Sequence, residues 1–476
     1  MRKGYLTVYL SLSLAVLIAF ILTLVEGVRT SATSMRAVCV ADIGINSTLS
    51  EYNKALFDRY DLLFVDESYG GGSGGIGAVR ARLEYYLRQN LDNGTPDMAR
   101  DLLGMNLKNC NIEEYALATD NNGEAVLRQV SDYMNTTLKG LLISGVDDLT
   151  GELSNAGFSY DIEGKRSEVQ AQIDAVELPI ITNEEGEEEQ ITLSNPADNV
   201  NSMRGAGVLG FVLSDTSSIS QKRINASQYC SNRKLCIGNG ISEEERQLGR
   251  EAGKLTYDEY LFDKLGYYRH VRDNSLLNYQ IEYVIKARES DWDNLEAVCK
   301  TILLWREAIN FVYLSLDSQR RSEAEAIAAA LTAVIFCPEL KDPVMWSILL
   351  AWAYLEALQD LKILLEGGGV PPFKSSSTWH TSITDLFHPR TALKSYPGQG
   401  GAKYGDYLKT MLLMTSFTKV VPKSFDIYEM DVRLASGNDS FKMDYCLQSF
   451  LAYIVTNSSY GHSVQVRRRG GYYYAS

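Results

Sequence analysis

The sequence predicts an α+β protein in which a long N-terminal transmembrane helix continues into a stalk and carries a large mixed head outside the cell. Three observations predict it. Tyr5–Val25 contains no charge, proline or glycine. Apolar residues then recur at three- and four-residue steps as far as Leu56, the period of a helix with one apolar face. Beyond that point short apolar runs bounded by glycine or charge alternate with amphipathic segments. A chain of 476 residues also exceeds one ordinary hydrophobic core, so more than one folded part is expected.

Composition narrows the classes of function. With 45% hydrophobic and 22% charged residues most of the chain should fold, and seven cysteines are too few for a disulfide-dense scaffold. Lys+Arg total 46 against 60 Asp+Glu, a net charge of −14. That balance argues against a nucleic-acid partner, because phosphate calls for a basic surface. Four histidines leave little material for a multi-histidine metal site, and neither metal nor cofactor is expected.

The first element is the apolar run. Its only polar residues are Thr7, Ser11, Ser13 and Thr23. At ~1.5 Å per residue it spans ~32 Å as a helix, enough to cross a bilayer. A cleaved signal peptide is the competing reading: its apolar core would be shorter, although Ser31, Ala32 and Ser34 are small enough for a peptidase site. Arg2 and Lys3 precede the run, which places residues 1–4 in the cytoplasm and the chain beyond Val25 outside. Ser11, Ala15 and Ala19 lie four apart on one face, a small-residue seam of the kind on which helices pack in lipid. Past Glu26 the positions Val28, Ala32, Met35, Val38, Ala41, Ile45, Leu49, Tyr52 and Leu56 extend the pattern, so 26–60 is expected to be a stalk helix with Gly27 and Gly44 as its weak points. An anchor followed by the first helix of a separate soluble domain would show the same pattern.

Arg2-Lys3-Gly4, the uncharged segment, Glu26-Gly27-Val28-Arg29 and Ala37–Asn46 resemble the start of TadE/TadG-type minor pseudopilins of the bacterial tight-adherence (Flp) pilus machinery. The later segments Asn278–Ile285, Asn294–Asn310, Ala351–Lys374 and Tyr404–Leu413 are similar to an uncharacterised group of such envelope proteins from Gram-positive bacteria. The resemblance implies a structural protein rather than an enzyme, with membrane lipid and other pilus or pseudopilin subunits as partners. It also implies cleavage between Gly4 and Tyr5. Prepilins usually carry glutamate at the fifth residue past the cut, where this chain has Tyr9.

The head is expected in three parts. The first, 61–146, holds a strand at 62–65, a glycine loop, a helix bearing Val79, Leu83, Leu87 and Leu91, a strand at 112–118, a helix at 124–138, and a strand or turn at 140–146. The second, 147–205, is poor in periodic apolar residues and contains Glu184–Glu189, so it reads as an acidic insertion or linker. The third, 206–476, is helix-rich. Val208–Leu213 and Tyr279–Ile285 read as strands, and Ser290 caps a helix whose stripe runs from Leu295 to Leu316. The uncharged runs 326–337 and 344–355 are too short to span a bilayer and read as core helices. Asp342-Pro343 suits a helix start and Gly367 a stop; helices at 404–417 and 425–435 and an antiparallel meander over 441–474 complete the chain.

Three constellations invite a chemical reading. Gly72–Gly77 matches GxGxxG, but a surface glycine loop satisfies that pattern by chance. His380, Asp385 and His388 are clustered in sequence without a nucleophile elbow or HExxH spacing, so no catalytic residue is assigned. Cys230 and Cys236 enclose a five-residue loop that could close as a disulfide outside the cell, with reduced, packed cysteines as the alternative. A membrane-anchored extracellular enzyme or a ligand-binding ectodomain is the rival to the structural reading.

Overall fold

The computed structural model describes residues 3–91, 103–137, 146–182, 188–190, 192–204, 207–213, 215–239, 250–398 and 400–472. The chain begins with α1 (Lys3–Leu49), α2 (Lys54–Tyr60), β1 (Val65–Asp66), α3 (Ile76–Leu91), β2 (Met105–Leu117) and α4 (Glu124–Thr137). There follow α5 (Val146–Ala156), α6 (Ile162–Asp174), β3 (Ile180–Thr182), β4 (Glu188–Gln190), α7 (Ala197–Arg204), α8 (Leu209–Val212) and α9 (Arg250–Lys264). The remainder is α10 (Gln280–Lys286), α11 (Asp291–Leu316), α12 (Ser318–Val334), α13 (Lys341–Leu365), α14 (Pro389–Ala392), α15 (Tyr404–Met414), α16 (Phe417–Arg433), β5 (Cys446–Ser458) and β6 (Ser463–Gly471). The mixture of helix and sheet is α+β, with a long apolar N-terminal helix and a larger head. Two compact units emerge: unit 1 is Met1–Thr137, Ser227–Gly253 and Phe425–Ser476, and unit 2 is Leu138–Ala226 and Lys254–Ser424.

Unit 1 is a helix laid on an antiparallel sheet. β5 is the central strand, paired with β2 from Met105↔Ser458 to Leu117↔Leu447 and with β6 from Ser449↔Gly471 to Asn457↔Ser463. Leu447 pairs with both Leu117 and Val65, so β1 adds to the edge opposite β2. Ala37, Val40, Ala41, Ile45 and Leu49 of α1 are buried against Val79, Leu83 and Leu87 of α3 and Phe450, Ala452, Ile454 and Val466 of the sheet. Two glycines permit this approach. A Cβ on Gly44 would stand 2.8 Å from Leu87 Cδ2, and one on Gly470 only 2.1 Å from Ile45 Cγ2. Gly44 is therefore a crossing point rather than a weak point, and the helix runs straight through it.

Unit 2 is built around α13, whose residues from Val344 to Leu365 are almost all buried. α11 and α12 pack along it, joined by α6, α7 and α8. Ser290 does cap α11, its hydroxyl accepting from the Asp293 N–H at 3.1 Å. Gly367, with φ +95°, follows the end of α13 as a left-handed stop. α13 itself starts one residue before Asp342, continuing a single 3-10 turn at Pro338–Leu340.

Several expectations are corrected. The stalk is not one helix to Tyr60: α1 ends at Leu49, and α2 restarts after Asn53, whose side chain accepts from the Leu56 N–H. Nor does 33–49 stand apart as a stalk, because it supplies the core of unit 1. The expected strands at 208–213 and 279–285 are replaced by helices at Leu209–Val212 and Gln280–Lys286. The alternation of Tyr279, Ile281 and Tyr283 misleads because Gln280, Glu282 and Val284 between them are buried too, leaving no solvent face to set a period. Residues 147–205 are no linker: α5, α6 and α7 bury Leu153, Ile162, Val169, Val200 and Met203, two or three positions per short helix. The strand or turn at 140–146 and most of Glu184–Glu189 lie outside the described residues. The division at 61–146 and 206–476 also fails, because β5 near the C-terminus pairs with β1 and β2 near the N-terminus.

Valine at Gly470 should destabilise unit 1 by about 1–3 kcal/mol, the usual cost of overpacking a formed core. Alanine at Gly27, where nothing lies within 4 Å of the added carbon, should be neutral or stabilise by up to about 1 kcal/mol. Urea unfolding of the two variants in detergent, followed by circular dichroism, checks the contrast.

Candidate functional site

The first candidate is α1 itself. Every residue from Tyr5 to Val28 is exposed, including Leu6, Val8, Tyr9, Leu10, Leu12 and Phe20. The polar side chains among them are quenched locally: Ser11 Oγ donates to the Val8 carbonyl at 2.9 Å, Ser13 to Leu10 at 3.0 Å and Thr23 to Ala19 at 2.5 Å. A helix with its backbone bonds internal and its hydroxyls turned on its own carbonyls suits hydrocarbon. This segment fits a single-pass membrane anchor. Gly4 and Tyr5 lie in its first turn, and Ser11, Ala15 and Ala19 share an exposed face.

Polar groups gather where the anchor ends. His462 Nε2, in the turn between β5 and β6, is 2.7 Å from Glu26 Oε1, and the Arg29 guanidinium lies 4.1 Å from the centre of the Tyr460 ring. Tyrosine and arginine together are residues that favour the headgroup region.

The second candidate is a cluster of buried charges in unit 2. Glu356 and Asp360 lie one turn apart on α13, and Arg306 and Asn310 one turn apart on α11. Lys374 Nζ donates to Glu356 Oε1 at 2.6 Å, Asp360 Oδ1 at 2.7 Å and the Thr378 carbonyl at 3.1 Å. Asp360 Oδ2 accepts from Arg306 Nε at 3.0 Å and Asn310 Nδ2 at 3.1 Å. Glu356 also accepts from the N–H groups of His380 and Thr381 and from the Thr381 hydroxyl. Burial alone would raise the Glu356 pKa, but the Lys374 ammonium and these donors hold it well below the usual carboxylate range. The side chains of Arg306, Glu356, Asp360 and Lys374 are fully buried. Ligand atoms of Glu356, Asp360 and His380 fall within 4.8 Å of one another, a spacing that suits a small cation. Lys374 Nζ is a cation already seated on two of them.

The sequence motifs fare differently. His380 joins this cluster through Nδ1, 3.2 Å from Glu356 Oε1. Asp385 instead closes a turn with Ser382, accepting from its N–H at 2.7 Å and its hydroxyl at 2.9 Å. His388 opens α14 and lines an open groove of about 450 Å³ with Asn199, Phe387 and Arg390. The three do not converge. Of the two alternatives for Cys230 and Cys236 the structure has the reduced one: each is a free thiol, Cys230 buried and Cys236 exposed. Their loop is closed by charge: Arg233 pairs with Glu429 at 2.5 Å and with Asp444, whose other oxygen accepts from the Cys236 N–H at 2.9 Å. In the glycine loop, Gly74 has room only for hydrogen, since a Cβ there would meet the Tyr445 ring at 2.5 Å. Sequence reasoning missed the four buried charges. The available signal was Glu356 and Asp360, acids one turn apart directly after the apolar run 344–355.

Residues 185–458, more than half of the chain, match the Family of unknown function (DUF5702), and the protein belongs to that family. No curated protein and no solved structure matches it.

One buried acid elsewhere in unit 2 makes stability depend on pH. Glu282 accepts from the Tyr268 N–H at 2.8 Å and the Tyr404 hydroxyl at 2.9 Å, and its Oε2 has no partner among the described residues. Burial pushes its pKa up to about 7. The folded state therefore holds a proton there that the unfolded chain releases near its ordinary, lower pKa. Stability from this group falls as pH rises from about 4.5 to about 7, by about 2–4 kcal/mol in all. Glu282→Gln should abolish that loss, as comparison of urea midpoints at pH 5 and pH 8 will show.

Proposed function

We propose that the protein is a structural, single-pass component of a bacterial tight-adherence pilus or a related secretion apparatus, acting in the manner of a minor pseudopilin. Residues 1–4 lie in the cytoplasm, Tyr5–Val25 crosses the membrane, and the chain beyond Val25 stands outside. One observation carries the reading: the same helix that is bare and apolar over its first half becomes, without a break, the core of unit 1 over its second. A helix shared in this way couples the position of the head to whatever its apolar half packs against. In lipid, that packing gains nothing from hydrophobicity and depends on close contact of small residues and polar groups. Ser11, Ala15 and Ala19 supply such a seam. The N-terminal resemblance adds processing after Gly4, which would remove Arg2 and Lys3 and leave Tyr5 first. A structural role, rather than turnover of an external substrate, is further supported by the closure of the buried charges to solvent and by the dispersal of His380, Asp385 and His388.

Leucine at Ser11, Ala15 and Ala19 together should leave the protein in the membrane fraction but remove the helix partners that it captures when crosslinked in membranes. Alanine at Asp385 and His388 should leave those partners in place. Capture unaffected by the three leucines but lost with the two alanines would turn the reading toward a head that binds or transforms a ligand.

A further inference from the structure

The buried charges of unit 2 are arranged for a reaction among themselves. Lys374 and Asp360 lie fourteen positions apart in the chain and are joined at 2.7 Å with both side chains fully buried. The second carboxylate on the same ammonium, Glu356 Oε1 at 2.6 Å, is equally buried. The two oxygens of Asp360 have different surroundings: Oδ1 faces Lys374, whereas Oδ2 takes two donors, Arg306 Nε and Asn310 Nδ2. Trp379 covers the site, its ring centre 5.7 Å from Lys374 Nζ, and the buried Trp352 packs edge-on against it. The cluster thus places a nucleophile, a carboxyl carbon, a proton carrier and donors for a developing oxyanion together in a dry enclosure.

We propose that Lys374 and Asp360 condense to an intramolecular amide, with Glu356 relaying the protons. The Lys374 ammonium gives a proton to Glu356, which passes it to Asp360. The neutral amine then attacks Cγ of the neutral carboxyl group. A C–N bond forms and the carbonyl electron pair moves to Oδ2, where Arg306 and Asn310 stabilise the negative charge. Glu356 carries a second proton from the nitrogen to Oδ1, and the C–Oδ1 bond breaks with release of water. An ammonium and a carboxylate become an amide and one water, with no oxidant or reductant.

Burial supplies the driving force. Four charged groups within one dry site carry a desolvation cost that their mutual attraction offsets only in part. The condensation removes one cation and one anion, leaving the Glu356 carboxylate and the Arg306 guanidinium as the remaining charges of opposite sign. In water the same amine and acid would remain ionised and apart. The product ties α13 covalently to the segment that carries Trp379 and His380, so unit 2 could not be drawn open at that point by force or by a protease. The bond does not rest on the pseudopilin reading and would serve any exposed head.

Peptide mapping of the full-length protein, purified in detergent, is the test. The intact chain, whether it begins at Met1 or at Tyr5, should be lighter than its sequence from that residue by one water. Trypsin should not cut after Lys374, and the peptides 342–362 and 363–390 should be recovered joined through their side chains. Glu356→Gln and Lys374→Arg should each return the full sequence mass, and Glu356→Gln should restore cleavage after Lys374. Should either variant fail to fold, the wild-type map alone decides. Wild-type protein that trypsin cuts after Lys374, or whose lost water maps elsewhere, overturns the proposal. A joined peptide persisting in Glu356→Gln would overturn the part given to Glu356.

Discussion

Helix α1 can lie on the β5–β6 hairpin only because Gly470 presents no side chain at the crossing, and the architecture of unit 1 depends on that seat. Ile45 and Leu49 fill the space above the glycine, Gly44 admits Leu87 from α3, and the sheet core closes over both. Because the helix is continuous from Lys3, the seat fixes the direction of the apolar half as well as the packing of the head. One rigid element thus answers to two solvents. Its first half is favourable only in hydrocarbon or against other apolar helices, and its second half only against protein. Glu26 and Arg29, with His462 and Tyr460 from the hairpin turn, mark the point where one environment gives way to the other.

Unit 2 obeys a different constraint. α13 is buried nearly all round yet carries Glu356, Asp360 and Lys362 in its last turns. Buried charge is tolerated when each group is paired and its remaining bonding capacity is used. Arg306 from α11 pairs with Asp360 and Lys374 from the segment after α13 with both carboxylates, and in doing so they fix where that segment runs. The same requirement recurs in unit 1, where Arg233 is held between Glu429 and Asp444 and closes a loop that a disulfide might have closed.

Elements with a solvent face were legible in the sequence. α1, α3, α4 and α11 have apolar stripes that a 3.6-residue period reveals, and Ser290 marks the start of α11 by the chemistry of a cap. Tyr279–Ile285 was not legible, because a segment buried on every side has no periodic contrast. The short helices of 147–205 each bury too few residues to raise a signal above the polar background. The assembly of unit 1 from three separated stretches depends on β5 pairing with strands more than three hundred residues earlier, which no local pattern records. The seam at Ser11, Ala15 and Ala19 could be read because spacing alone defines it. The Lys374–Asp360–Glu356 contact could not, since its members are brought together by the path of the chain after Gly367.

The account rests on α1 being anchor and core at once, and two truncations separate those roles. A chain beginning at Val28 keeps the residues that seat on Gly470 and lacks only the apolar half; a chain beginning at Glu51 loses both. Hydrogen exchange of β5 and β6 should show the first soluble without detergent and strongly protected, and the second unprotected in both strands. Detergent dependence in the first, or full protection in the second, would contradict the claim that a single helix serves both solvents.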